Sequence, residues 1–179
     1  TSVQDAVRIG NVARIAVSRR DERPVIVTSA MSGVTNELVR LADMARRGDR
    51  SFIDEGLAPL QRRHIAAAEQ LVPGDAALLD RLDLRLRELR ELLRGVCLTS
   101  RATPQAMDAL LGCGELLAQE LVAAAIQALG GQAVALDARE VVITDDSFGA
   151  ARPDLPKTAL RCRDRVLPFI AEGVIPVLG

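Results

Sequence analysis

Short runs of β-branched residues alternate with long segments of helical periodicity along this chain, and that alternation is its strongest constraint on the fold. The runs are "RPVIVTSA", "QAVALDA" and "VIPVLG", with a shorter one in "REVVIT". Between them apolar residues recur every three or four positions, and a last helix is expected over residues 158–172. Strands that alternate with helices indicate a parallel sheet covered on both faces, with right-handed connections. The sequence therefore predicts an α/β fold whose ligands bind beyond the carboxyl ends of the strands.

The segment between the first two main strands is too long for a single crossover helix. Two apolar stripes at helical spacing run through it, and Pro73 and Gly74 divide them. We expect two antiparallel helices, an α-helical hairpin inserted into the α/β fold. On this division residues 1–48 and 97–179 form the α/β core and residues 49–96 the helical insertion.

Composition removes several classes of function. Charged residues make up 26% of the 179 residues and the formal net charge is −1. Acids and bases are interspersed, so the basic footprint of a nucleic-acid-binding protein is missing. Three widely spaced cysteines fit neither a disulfide framework nor a zinc ligand set. The longest apolar stretch carries polar residues, and no basic leader precedes it. We therefore expect a cytoplasmic protein that binds neither nucleic acid nor a membrane.

The stretch "SAMSGVTN", residues 29–36, joins the first strand to the helix that follows it. Its small and hydroxylated residues leave backbone N–H groups accessible, and the helix N-terminus adds positive partial charge. An anion is the ligand expected in such a loop. A simpler interpretation is that Ser32 or Thr35 caps the helix. The local pattern alone leaves both interpretations open.

A second unusual stretch is "LLGCGELLAQELV", in which Gly112 and Gly114 lie inside a predicted helix beside Glu115. Each glycine destabilises a helix by roughly 1 kcal/mol relative to alanine, so a compensating interaction is expected. One possibility is that a neighbouring element packs closely against the glycines, with Glu115 at the rim. The other is that Glu115 holds a ligand cation, such as an α-ammonium group, which the glycines allow to approach.

Other arrangements of catalytic residues are missing or weaker. The glycine pair lacks the third glycine of a dinucleotide fingerprint, and no G-x-x-x-x-G-K-[ST] loop occurs. His64 is the only histidine and lies on an apolar stripe, which indicates a packed side chain and excludes a Ser/His/Asp triad within these residues. Asp145 and Asp146 have carboxylate oxygens of the kind that bind magnesium. Adjacent acids in a turn, however, usually accept hydrogen bonds from nearby backbone N–H groups. We predict no metal site.

Several segments, taken in order, resemble the aspartate kinases of the amino acid kinase superfamily. They are "TSV" at the start, "VTSAMSGVTNELVRLA", "GELL", "DAREVVITDDSFGAARPD" and the terminal "EGVIPVLG". The match spans the chain from end to end, and the long helical excursion is similar to the branch with lysine-sensitive enzymes and bifunctional aspartokinase–homoserine dehydrogenases. The resemblance implies a three-layer α/β/α sandwich that uses MgATP to phosphorylate the β-carboxyl of L-aspartate, the first step toward lysine, threonine and methionine.

The resemblance also implies roles for particular residues. Thr35 would contact the substrate aspartate, Glu115 would hold its α-ammonium, and Ser29 would lie close to its reacting end. Thr1 and Ser2 would belong to a "K-F-G-G-T-S" phosphate-binding segment. The implied cofactors are ATP and Mg²⁺, and the full-length protein is expected to be a homo-oligomer.

The chain departs from the family pattern at its ends. The family's phosphate-binding lysine would precede Thr1, while the "G-R-G-G-S-D"-type substrate loop, most of the nucleotide site and the regulatory ACT domains would follow Gly179. Lys157 stands at a helix start among prolines and is no replacement. We therefore expect a catalytic domain truncated at both ends, with no catalytic residue of its own and no activity alone.

Two alternatives remain open from the sequence. The chain could belong to another kinase of the same superfamily, acting on glutamate, N-acetylglutamate or a nucleoside monophosphate. It could instead be a noncatalytic assembly module whose helical hairpin, residues 51–96, serves as an oligomer interface.

Overall fold

The computed structural model describes residues 3–48 and 51–179, and for residues 51 and 52 it describes the backbone only. Helices and strands alternate as the sequence predicts, with the largest helices in the middle of the chain. In chain order the elements are α1 (Ala6–Ser18), β1 (Ile26–Val27), α2 (Val34–Arg46), α3 (Ser51–Leu71), α4 (Ala76–Thr99), α5 (Pro104–Ala128), β2 (Ala133–Leu136), α6 (Leu155–Arg165), α7 (Leu167–Ala171) and β3 (Ile175–Leu178).

The three strands form one parallel sheet in the order β1-β3-β2, so the last strand of the chain lies in the middle. Side chains alternate between the two faces of the sheet. Ile175 and Val177 of β3 join the main core with α1, α2 and α5. Leu178 instead packs with Val166 and Ile170 of the α6–α7 region. The expected parallel sheet with helices on both faces is therefore confirmed.

The predicted helical hairpin is present as α3 and α4. Gly74 turns the chain with a positive φ of 75°, and Asp75 caps α4 by accepting a 2.9 Å hydrogen bond from the Leu78 backbone N–H. α3 packs against α1, α2, α4 and α5. The hairpin residues that belong to the main core include Ile53, Leu57, Leu60, Ala67, Leu82, Leu86, Leu89 and Leu93. The insertion is therefore continuous with the core of the molecule.

α5 is the central helix of the fold. Thr103 caps it by accepting a 3.1 Å bond from the Ala106 N–H, and Pro104 takes the first helical position, where a missing N–H removes no helical hydrogen bond. By length and composition α5 is apolar enough to cross a membrane. However, 78% of its most apolar 18-residue stretch is buried inside the protein. Its apolar residues are used in the core, where the helix contacts β2 and β3.

Two local predictions fail. The helix expected over residues 158–172 begins earlier, because Asp154 caps it, and breaks into α6 and α7 before Pro168. A proline inside a helix lacks an N–H and collides with the preceding turn. The β run expected in "REVVIT" is a short 3-10 turn, residues Ala138–Glu140, followed by a single antiparallel bridge between Thr144 and Pro153.

Candidate active site

The carboxyl ends of the three strands meet at one edge of the sheet. The Thr28 N–H, just after β1, donates to the Leu178 carbonyl at 2.9 Å, and the Ala138 N–H, just after β2, donates to the Gly179 carbonyl at 3.2 Å. These bonds bring the segments that follow β1 and β2 to either side of the end of β3. This edge is where ligands of open parallel sheets bind.

The loop from β1 to α2, residues 28–33, exposes polar groups to solvent and is held in place by buried apolar residues. Ala30 and Met31 are buried, whereas Ser29 is exposed. Gly33, with a φ of 80°, is the N-cap of α2, and no side chain makes a capping hydrogen bond there. The interpretation that Ser32 or Thr35 caps the helix is therefore wrong. Thr35 lies exposed in the first turn of α2, where backbone N–H groups have no intrahelical partner.

Helix α5 packs directly against this loop at Gly114. A methyl group at Gly114 would lie 3.0 Å from Cβ of Ala30 and 3.0 Å from Cγ1 of Val34. These two neighbours are adjacent in sequence to Ser29 and Thr35. The first of the two explanations for the glycines, close packing by a neighbouring element, therefore holds for Gly114.

Glu115 follows Gly114 and lies at the carboxyl edge of the sheet. A methyl group on Gly179, at the end of β3, would lie 2.6 Å from the Glu115 carbonyl oxygen. The Glu115 carboxylate makes no hydrogen bond or ion pair with any of residues 3–48 and 51–179. Although the residue is exposed, partial burial of its carboxyl raises its pKa. A partly buried carboxylate with no counter-ion among the described residues is suited to a cationic ligand group.

A cleft of about 760 Å³ opens in front of Glu115. One wall is α5, through Gly112 and Glu115, and the other is the segment after β2, including Arg139 and Phe148. None of the described residues packs against Gly112, since a methyl group there would meet no described atom within 4 Å. Close packing therefore does not account for Gly112. Because Gly112 has no side chain, the cleft stays open beside Glu115.

The cleft does not gather all the residues that the sequence analysis grouped. Ser29 and Thr35 are absent from its lining and lie beside α5 on the Gly114 side. Thr1 and Ser2, the residues with an implied nucleotide role, lie outside the described residues. The structure thus brings Glu115 next to the elements that carry Ser29 and Thr35.

Sequence reasoning missed an ion pair at the same edge. Asp137 directly follows β2, and its carboxylate accepts from Arg139 through Nε at 2.9 Å and Nη2 at 2.5 Å. Burial disfavours the charged form of Asp137, but the hydrogen bonds from Arg139 outweigh it and hold its pKa below the usual range. The pair fixes a guanidinium in the cleft that Glu115 lines. The D-x-R spacing right after a strand was the available signal.

The other titratable residues considered as site candidates have structural roles. His64 is fully buried, with Nδ1 2.8 Å from the Leu60 carbonyl oxygen, and burial lowers its pKa. Asp145 accepts from the Ser147 and Arg152 backbone N–H groups, as expected of a turn acid. Lys157 pairs with Asp154 at 2.9 Å at the start of α6. Burial raises the pKa of the Cys113 thiol to about 11, so it is no nucleophile at neutral pH.

Comparison with known proteins adds a consistent set of relatives. A profile of the amino acid kinase family matches residues 1–179. The chain is 32% identical over 164 residues to bifunctional aspartokinase/homoserine dehydrogenase 1, chloroplastic, of Arabidopsis thaliana, covering 90% of the chain and 18% of that protein. It is 30% identical over its full length to lysine-sensitive aspartokinase 3 of Escherichia coli K12, covering 38% of that protein.

A solved structure has the same fold. The crystal structure of E. coli aspartokinase III in complex with aspartate and ADP (R-state) superposes with a TM-score of 0.83 at 28% identity, over all of this chain and 38% of the other. The chain thus spans about a fifth of the length of the first bifunctional relatives and two fifths of the E. coli enzyme.

Proposed function

This chain belongs to the amino acid kinase family, and we propose that it forms the N-terminal part of the catalytic domain of an aspartate kinase. The reaction is transfer of the γ-phosphoryl group of MgATP to the β-carboxylate of L-aspartate, giving 4-phospho-L-aspartate and ADP. This is the first step toward lysine, threonine and methionine. The observation that carries the proposal is the contact of Gly114 with Ala30 and Val34, because it brings Glu115 beside the β1–α2 loop.

The proposed roles follow from charge. Glu115, without a counter-ion among the described side chains, holds the α-ammonium group of the substrate. Thr35 and Ser29, on the other side of Gly114, contact the substrate through hydroxyl and backbone donors, with Ser29 nearest the reacting end. An anionic tail suits that loop because its N–H groups and the start of α2 carry positive partial charge.

The reaction needs no protein base, which suits a site without a usable histidine. A free β-carboxyl has a pKa of about 3.9 and is ionised at neutral pH. One of its oxygens attacks the γ-phosphorus, and the bond to the ADP oxygen breaks. The barrier is the repulsion between two anions, which oriented backbone donors and cations reduce.

The nucleotide and its metal are assigned to no described residue. No three Asp, Glu, His or Cys side chains of the described part converge on one point, and Asp145 is engaged with backbone donors. We propose Thr1 and Ser2 as part of the nucleotide site on the resemblance alone.

The setting of the whole protein is also a proposal. The three cysteines are free thiols, which agrees with a reducing compartment, and we propose a cytoplasmic enzyme. We propose a homo-oligomer for the full-length protein on the family resemblance. The exposed face of the hairpin carries Arg–Glu and Arg–Asp pairs three or four residues apart, which is typical of a solvated helix surface, so no separate assembly function is proposed.

Aspartate-dependent ATP turnover tests the proposal. The complete gene product that contains this chain is expected to form a hydroxylamine-trappable acyl phosphate from L-aspartate and ATP. The 179 residues alone are expected to form none. Turnover with glutamate, N-acetylglutamate or a nucleoside monophosphate, and none with L-aspartate, would replace the proposal by another kinase of the family.

A further inference from the structure

One arginine of the helical hairpin contacts two distant segments at the edge of the candidate site. Arg63, on α3, donates from Nη1 to the Ser32 carbonyl oxygen at 2.6 Å. It also donates from Nη2 to the Gln4 carbonyl oxygen at 2.9 Å. Ser32 belongs to the β1–α2 loop, and Gln4 lies just after Thr1 and Ser2. A single guanidinium therefore joins the segment proposed for the substrate to the one proposed for the nucleotide.

The backbone that carries Arg63 is held firmly by the core. The next residue, His64, is fully buried and bonded to the Leu60 carbonyl oxygen. About two turns before Arg63, Gly56 lets α3 approach Leu41 of α2 so closely that a methyl group would collide with it. Because α3 is fixed on this side, the backbone of Arg63 is held within reach of both carbonyl groups.

The geometry of the contact requires an arginine. The two hydrogen bonds come from different nitrogens of one planar group, which a guanidinium provides and an ammonium does not. The loop fits around it at Gly33, where a methyl group would lie 3.9 Å from Nη1. Gly33 has a φ of 80°, a conformation in which other residues are strained.

We infer that Arg63 is a positioning residue that sets the spacing between the β1–α2 loop and the N-terminal segment, and so links the helical hairpin to phosphoryl transfer. The catalytic part of this inference rests on the proposed function. In phosphoryl transfer the protein contributes mainly by aligning two anionic reactants. A misalignment of about 1 Å lowers the rate by as much as about 100-fold. Arg63 touches neither reactant and acts through the backbone of the two segments.

Steady-state kinetics on the complete gene product test the catalytic part. Arg63→Met is expected to lower kcat by about tenfold or more, while the KM values for aspartate and ATP change less than about threefold, because alignment is lost and each binding site is kept. Arg63→Lys, which keeps the charge but has a single donor nitrogen, should fall between. Arg62→Met is the matched control, since Arg62 is an exposed neighbour on α3 that donates to neither carbonyl. A kcat for Arg63→Met within twofold of the wild type would overturn the inference.

Amide hydrogen exchange tests the bridge without using activity. Exchange in residues 29–34 and in residues 4–8 should accelerate together in Arg63→Met and stay unchanged in Arg62→Met. Exchange that stays unchanged in both variants overturns the bridge itself. Faster exchange in a protein that does not phosphorylate aspartate would support the bridge and refute the proposed function. If Arg63→Met does not fold, Arg63→Lys carries the same comparison.

Discussion

Helix α5 has a glycine on each of two sides, and the two glycines have different surroundings. On one side, a methyl group at Gly114 would press on Ala30, Val34 and Leu38 at 3.0 to 3.1 Å. On the other side, a methyl group at Gly112 would meet nothing within 4 Å among the described atoms, and Gly112 lines the open cleft with Glu115. A glycine in a helix thus marks either a close contact or a space, and only the three-dimensional surroundings distinguish the two.

The comparison separates stability from binding. The Gly114 side adds buried apolar contacts and holds α5 against the β1–α2 loop. The Glu115 side carries a carboxylate whose pKa is raised by burial and which no described cation neutralises. A charged group left in this way lowers stability, and a cationic ligand would remove the cost. We therefore expect mutations of Gly114 to affect folding and mutations of Glu115 to affect ligand binding.

Gly114→Ala should have the largest effect on folding. Overpacking costs about 1 to 3 kcal/mol, partly offset by about 1 kcal/mol of helix propensity. We expect a net loss of up to about 2 kcal/mol in the free energy of unfolding, measured by urea denaturation. Stability equal to the wild type would show that the loop moves away easily and that the packed side is not tightly packed.

Arg81→Met tests a third side of α5, where Glu120 forms a buried ion pair with Arg81 of α4. The Glu120 side chain is only 5% exposed and pairs with Arg81 at 2.9 Å and with Arg85 at 3.5 Å. Removing one partner of a buried pair is costly, but Arg81 is partly exposed and Arg85 remains, so we expect a loss of about 1 kcal/mol. Arg87→Met is the matched control, because its pair with Asp83 is exposed on both sides and should contribute less than about 0.5 kcal/mol. Equal losses in both variants would contradict the role of the buried pair.

Gly112→Ala should have the opposite sign from Gly114→Ala. With no steric obstacle, the gain in helix propensity is at most about 1 kcal/mol, which thermal denaturation would detect as a small rise in Tm. The added methyl narrows the cleft beside Glu115, so aspartate affinity in the complete gene product should fall. A destabilised Gly112→Ala protein would remove the distinction between the two sides.

The pH dependence of stability gives the smallest predicted effect. Because burial raises the pKa of Glu115 above its ordinary value of 4.5, ionising it in the folded state lowers stability. The loss is absent below pH 4.5 and complete above the raised pKa. Glu115→Gln should therefore stabilise the protein at pH 7 and have no such effect at pH 4, as followed by Tm. Glu91→Gln, on the exposed face of α4, is the control for the change in net charge. A stabilisation that is the same at both pH values would contradict the assigned cause.

Features encoded by neighbouring residues were predictable from the sequence. The Thr103 cap, the turn at Gly74 and the three strands depend on a few adjacent positions, and the structure has all of them. The break in the last helix before Pro168 was also encoded locally and was overlooked. Local signals are sufficient here because capping, turn and strand preferences act within a few residues.

Contacts between distant residues were not predictable in the same way. The bridge from Arg63 to Gln4 spans 59 positions, and nothing in either segment indicates the other. The same holds for the glycines of α5. Gly114 packs against Ala30 of the β1–α2 loop and against α2, whereas Gly112 faces a cleft whose other wall is the segment after β2. Gly33, and not a hydroxyl side chain, is the N-cap of α2, and its φ of 80° lies in the left-handed region that favours glycine.

Ligand discrimination by the complete gene product tests the central claim, that Glu115 binds the ammonium group of an amino dicarboxylate. Succinate is aspartate without that group, so the ratio of the two Kd values, measured calorimetrically, isolates its contribution. We expect L-aspartate to bind about 30-fold or more tighter than succinate, as a charged hydrogen bond of about 2 kcal/mol implies. In Glu115→Gln the preference should nearly disappear, while in Asp108→Asn, which removes a charge from the same cleft wall, it should persist. A preference for aspartate that survives in Glu115→Gln would contradict the account.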